Sequence, residues 1–219
     1  MTASTQRLAS AQRIASVPRL ASARLWALLL LACAAAGLAG CSGTQAGASA
    51  YHAQDISGIM PPLAFHLTGP GGRPITEQFL HGKVAIIYFG YTHCPDECPT
   101  TLARLSSTLR LLGPAANQVR VLFVSVDPQR DTPAVLAQYA HYFAPQVVGA
   151  SGSDAELTAM TKRYRVAYRR DPPDAHGNYD VYHSSAVFVF DAEGRARLLV
   201  PDTETPPQLA EDLSSLAAG

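Results

Sequence analysis

Residues 83–98 read KVAIIYFGYTHCPDEC, and the order of residue types in this stretch decides the fold. Lys83–Gly90 is a β-branched and aromatic run of strand length. It is apolar almost throughout, which predicts a central strand covered on both faces. The loop YTHCPDEC follows. Pro99–Leu112 then reads as a helix with Leu102, Leu105, Leu109 and Leu112 on one face. Gly113 and Pro114 stop it.

Downstream, Val119–Val126 (VRVLFVSV) is a second buried strand. Thr132 and Pro133 suit the N-cap and first position of a helix running to about Phe143. Ser153 and Glu156 form a capping box for a helix ending near Tyr164. Ser184–Asp191 (SSAVFVFD) reads as a strand, Glu193-Gly194 as a turn, Ala196–Val200 as the next strand and Pro206–Leu216 as a closing helix. Upstream, residues 60–82 supply a short hairpin and one turn of helix. Strand–helix–strand–helix followed by a hairpin and a helix is the thioredoxin order. Right-handed crossovers convert it into an α/β, thioredoxin-like fold with a mixed central sheet and helices on both faces. One such domain is expected over residues 55–219, with no second domain.

The chain of 219 residues is 47% hydrophobic, enough for one substantial core plus a leader. Arg7, Arg13, Arg19 and Arg24 are the only charged residues before Asp55. Without them, 13 of the 17 basic side chains remain against 17 acidic ones, a balance near −4. That balance lacks the basic face a nucleic-acid partner requires. The arginines precede Leu25–Leu38 (LWALLLLACAAAGL), an apolar run of 14. It is short of the ~20 residues of a membrane span and suits a signal-peptide core. The run ends in Leu38-Ala39-Gly40-Cys41, which resembles the bacterial lipobox. Residues 1–40 are therefore expected to be a lipoprotein signal peptide. Cys41 would be the lipid attachment site, and residues 41–54, small and polar after Cys41, a flexible tether. The alternative is an uncleaved anchor helix with Cys41 a bystander. Lipidation would place the domain in the bacterial cell envelope, on a membrane and facing the periplasm or exterior. The leader also repeats RLAS, RIAS and RLAS at 7–10, 13–16 and 19–22; the period fits no solenoid class.

Of the four cysteines, Cys33 and Cys41 lie in the leader, which leaves Cys94 and Cys98 for the domain. One closely spaced pair is a chemical feature more than a disulfide scaffold. Residues four apart on a helical turn share a face, within the ~4.4–6.8 Å that permits a disulfide. The same spacing lets both sulfurs reach one metal. A helix N-terminus favours thiolate; Asp96 and Glu97 oppose a second anion but attract a cation. Two thiolates with an imidazole suit Cu(I), with zinc the main competitor. Seven histidines are available. His183, just before a late strand, is the candidate from position, and His52, His66, His81, His93, His141 and His176 stay open on spacing alone. His93 adjoins Cys94 but is expected to point away. Asp127, Arg130 and Asp131 read as strand-end and turn residues, Tyr88, Phe89 and Tyr91 as strand packing. The Pro/Gly-rich stretch DPPDAHGNYD at 171–180 reads as a loop flanking the site.

Three blocks, YFGYTHCPDECP, SVDPQRDTP at 125–133 and YDVYHSSAVFVFD, occur in the order in which the Sco/SenC family carries them. The chain resembles that family over roughly residues 58–217. The resemblance implies a thioredoxin-like fold, with copper bound by Cys94, Cys98 and His183. It also implies a role in building the binuclear copper centre of cytochrome c oxidase. Cu(I) is the expected cargo, Cu(II) a second state. The expected partners are the copper-site subunit of the oxidase, a copper donor or thiol-reductant protein, and the membrane through the lipid anchor, with no nucleic acid. Many members carry an aspartate where this chain has Tyr182, and another where it has Asn178, which puts the Cu(II) state in question more than Cu(I). A thiol–disulfide oxidoreductase acting on cysteines of the oxidase subunit is the alternative function, with Cys94 and Cys98 as the redox pair. A peroxidase of related fold ranks last, because the only tryptophan, Trp26, lies in the leader.

The leader makes one direct prediction. Cys41→Ala should release the protein into the soluble fraction of the cell envelope or medium, read by fractionation. A variant that stays membrane-bound and uncleaved would identify residues 25–40 as an anchor helix.

Overall fold

The computed structural model describes residues 50–218; the predicted signal peptide, Cys41 and most of the tether lie outside them. In chain order the strands and α-helices are β1 (Gln54–Asp55), β2 (His66–Thr68), β3 (Pro74–Thr76), β4 (Val84–Gly90), α1 (Glu97–Leu112), β5 (Val119–Ser125), α2 (Pro133–Phe143), β6 (Val147–Ala150), α3 (Asp154–Arg163), β7 (Tyr168–Arg170), β8 (Val181–His183), β9 (Val187–Phe190), β10 (Ala196–Val200) and α4 (Pro206–Ala218).

The central sheet has the order β1-β10-β9-β4-β5-β6. β4 pairs parallel with β5 and antiparallel with β9, so the sheet is mixed. Every residue of β4 and of β9 is buried, as their unbroken apolar sequence requires. α1 and α4 lie against each other, and α2 covers β6. This is the thioredoxin-like α/β arrangement that the element order predicts. The early hairpin forms as β2–β3, followed by one 3₁₀ turn at Glu77–Phe79. Thr132 caps α2 with Pro133 at its first position, and Ser153 and Glu156 close the capping box of α3. Among the described residues, no helix is long and apolar enough to cross a membrane.

Three boundaries differ from the sequence reading. Helix α1 starts at Glu97 rather than Pro99. Pro99 is tolerated there because the first N–H groups of a helix have no helical acceptor to lose. The shift puts Cys98 inside the first turn. The strand expected at Ser184–Asp191 is divided. Ser184 N–H donates to Ala167 O (2.9 Å), outside the central sheet, and the ladder to β4 begins only at Val187. Finally, folded structure begins before residue 55. Gln54–Asp55 pairs with β10, and the N–H groups of His52 and Ala53 donate to the two oxygens of the Asp212 carboxylate at 2.9 and 2.8 Å.

Beside that clamp lies Glu204. It is 5% exposed, and neither carboxylate oxygen has a hydrogen-bond partner. Burial first, then the charge of Asp212, pushes its pKa up to about 7. An unfolded glutamate titrates near ~4.3. Between these values the native chain keeps a proton that the unfolded chain gives up, so stability falls as pH rises across that window. Glu204→Gln should therefore raise the thermal midpoint more at about pH 8 than at about pH 5. An equal shift at both would contradict the assignment.

Candidate metal centre

The parallel pair β4–β5 sets up the site. Its register runs from Val84↔Val119 to Gly90↔Ser125, so both strands end together and the loops after them start side by side. The loop after β4 carries Cys94, and the first turn of α1 carries Cys98. Gly90 is required at the end of β4. A Cβ there would stand 2.7 Å from both Cys98 Sγ and Phe123 Cε2, so only a residue without a side chain lets the strand pass.

Cys98 is fully buried and Cys94 is half-buried; neither is in a disulfide. The Cys98 N–H donates to Cys94 Sγ at 3.4 Å, which folds the loop over the helix start. His183 arrives from a different element, the end of β8, and its Nε2 lies 3.3 Å from Cys98 Sγ. Its Nδ1 faces the carbonyl of Ser184 at 3.1 Å. A proton on Nδ1 satisfies that carbonyl and leaves the Nε2 lone pair facing the sulfurs, the tautomer a metal requires. One ligand atom from each of Cys94, Cys98 and His183 lies within 4.8 Å of the others. Three soft or borderline donors at that spacing can close on a single ion.

The electrostatics favour a cation. Burial pushes the Cys98 thiol up to about 12, with the Cys94 charge acting in the same sense and Tyr88 opposing it. A lone thiolate is therefore costly here, and a positive ion that replaces the proton removes the cost. The Tyr88 hydroxyl is buried next to Cys98, yet no hydrogen bond of acceptable geometry joins them. Tyr88 and Tyr91 do more than the strand packing their sequence suggests. Their rings stand edge-on to the His183 imidazole, at 6.3 Å and 74° and at 5.8 Å and 83°.

The remaining sequence candidates separate cleanly. His93 is turned toward Thr92 Oγ1 (3.1 Å) and away from the cysteines, as expected. Asp96 and Glu97 are exposed. Tyr182 is 54% exposed, with the Arg169 guanidinium 4.7 Å above its ring. Asn178 belongs to a loop-tip turn and donates its N–H to Asp174. No acid therefore takes the orienting role; the Ser184 carbonyl does.

Asp127 and Asp131 are where the turn reading falls short. Asp131 is 1% exposed and accepts from Thr92 N–H (2.9 Å), Thr92 Oγ1 (2.5 Å) and Ser125 Oγ (2.5 Å). It ties the cysteine loop to the end of β5. Asp127, fully buried, accepts from Arg130 Nε (2.5 Å) and the Tyr179 hydroxyl (2.6 Å). The available signal was the density of charged residues, D-P-Q-R-D, directly after a buried strand.

A comparison with protein families matches residues 60–218 to SCO1/SenC. The chain belongs to the SCO1/SenC family. It is 34% identical over 132 residues to a SCO2-like protein of Rickettsia felis, covering 60% of this chain and 64% of that protein. To the mitochondrial protein SCO2 of Saccharomyces cerevisiae it is 40% identical over 134 residues, covering 60% of this chain and 44% of the relative. The chain thus spans less than two thirds of the length of these curated relatives. Among solved structures, Bradyrhizobium japonicum ScoI with copper bound matches with a TM-score of 0.65 at 39% identity, covering 71% of this chain and 98% of the other. The SCO1/SenC match includes the cysteine loop, the Asp127–Asp131 block and the hairpin that carries His183.

Proposed function

We propose that this protein binds one copper ion through Cys94, Cys98 and His183 and delivers it to the copper-site subunit of cytochrome c oxidase. The observation that carries the reading is the convergence within 4.8 Å of two sulfurs from one loop-to-helix stretch and one imidazole nitrogen from a distant hairpin. Thiolate and imidazole are soft and borderline donors, a set suited to Cu(I). The copper-bound ScoI relative favours copper over zinc for the same family. Cu(I) with two thiolates leaves one net negative charge, Cu(II) none, so a Cu(II) form is electrostatically feasible in the same frame.

Loading would release the thiol protons. A proton on His183 Nδ1, directed at the Ser184 carbonyl, would leave Nε2 free to take the ion. A cleft of about 390 Å³, lined by Ala167, Tyr168, Arg169, Tyr182, His183 and Ser184, opens on the imidazole. With Cys94 half-exposed and Cys98 buried, an incoming ligand would displace the outer donors first. That order suits a protein that must give its metal away. We place the domain outside the bacterial cytoplasm, held to a membrane by lipid on Cys41, with a copper donor or thiol reductant as a further partner.

The thiol–disulfide reading is disfavoured as the main role. An imidazole nitrogen held 3.3 Å from Cys98 Sγ serves metal binding and adds nothing to exchange, and the burial that pushes the Cys98 thiol up makes it a poor leaving group.

His183→Ala separates the two readings, since it leaves both cysteines intact. In the purified protein it should abolish the Cu(II)–thiolate absorption and weaken Cu(I) binding at least about 10-fold, the scale on which even outer-sphere changes act. In cells at low copper it should fail to support oxidase activity, and added copper should restore part of it. Full complementation by the variant at low copper would overturn the copper-delivery reading in favour of the dithiol enzyme.

A further inference from the structure

His183 sits at the end of a hairpin that the central sheet does not hold. β7 and β8 form a two-stranded sheet of their own, and such hairpins are marginal without tertiary support. The loop joining them is internally closed. Asp171 N–H donates to Asp180 O at 2.9 Å, and Asp174 Oδ1 accepts from the N–H groups of His176 and Asn178, both at 2.8 Å. These bonds stiffen the loop but do not fix where it lies.

Tyr179 does. Its hydroxyl donates to Asp127 Oδ1 at 2.6 Å, and its carbonyl accepts from Arg130 Nη1 at 3.2 Å. The Arg130 guanidinium lies 3.8 Å from the centre of its ring. The same guanidinium donates through Nε to Asp127 Oδ2 at 2.5 Å and stands 5.8 Å from the ring of Tyr91, which is itself edge-on to His183. Asp127 is 0% exposed, so both of its bonds form in a medium where charge-assisted hydrogen bonds are strong and their loss is costly. The neighbouring Asp131 holds the cysteine loop from the same short segment.

We infer that Asp127, Arg130 and Tyr179 form a clasp that positions His183 against the two sulfurs and thereby sets how fast the bound metal leaves. All three are positioning residues; none is a ligand. The inference rests on the copper-binding reading for its metal step, but the clasp itself is a statement about the hairpin and can be tested without metal.

Asp127 is a poor target, because its removal takes the Nε partner from the half-buried Arg130 at the same time as the acceptor from Tyr179. Tyr179→Phe removes one hydroxyl and keeps the ring. Arg130→Lys keeps the charge but loses the planar fork and the stacking face, which a lysine does not replace. Each variant of the full chain is examined in two ways. Hydrogen exchange of residues 171–183 is followed in the metal-free protein, and Cu(I) release into bathocuproine disulfonate is timed after loading. Both variants should exchange faster in 171–183 and release Cu(I) roughly 10-fold faster, the scale of one hydrogen bond to a charged group. The Cu(II)–thiolate band should keep its position, because the ligands are unchanged. Unaltered exchange would disprove the clasp. Faster exchange with wild-type release would show that the clasp holds the loop but does not position the histidine. Should the unsubstituted chain take up no copper, the copper reading fails on its own, and the exchange data still decide whether Tyr179 and Arg130 hold the hairpin.

Discussion

One buried carboxylate, that of Asp131, is the constraint on which the site depends. β4 and β5 run parallel and end at the same level, so two loops leave the sheet side by side, free in principle to diverge. Asp131 joins them by accepting from the backbone and hydroxyl of Thr92 on one side and from Ser125 on the other. An ion at 1% exposure is tolerated only with several donors around it, and three are present. The network thus fixes both a carboxylate and the loop that carries Cys94. Thr92 is two residues from that cysteine, and the bond from Cys98 N–H to Cys94 Sγ extends the order to the start of α1.

The three donors are held with graded rigidity. Cys98 is fully buried against Gly90, where its sulfur and the Phe123 ring leave no room for a methyl group. Cys94 is half-buried in a loop tied at Thr92. His183 sits on a hairpin outside the central sheet. On the proposed function this gradation is useful. The deepest thiol would anchor the ion and gain most from it, because its own ionisation is disfavoured by burial. The outer two ligands are the ones a partner's donors can replace. A rigid cage of three equivalent ligands would bind well and deliver slowly.

The sequence was informative wherever a local rule operates. The apolar period gave the buried strands, and the Thr132-Pro133 and Ser153/Glu156 caps gave two helix starts. Block order pointed to Cys94, Cys98 and His183, whose side chains the fold brings together. It was less informative where a distant partner decides. Proline at 99 suggests a first helical position, yet the helix begins at Glu97, because a proline anywhere in the first turn lacks only an N–H that has no helical acceptor. SSAVFVFD reads as one strand, but Ser184 is claimed by Ala167 across the small hairpin. Residues 51–53 look like tether until Asp212, about 160 positions away, accepts two of their backbone N–H groups. Asp127 and Asp131 look like turn formers because nothing nearby in sequence reveals that Thr92 and Tyr179 fold onto them.

The account stands or falls on the ligand set. X-ray absorption at the copper edge of the Cu(I)-loaded protein counts the donors directly. It should give two sulfur neighbours and one nitrogen for each copper. A copper with no sulfur neighbours, or one whose shell keeps its nitrogen unchanged when His183 is replaced by alanine, would contradict it.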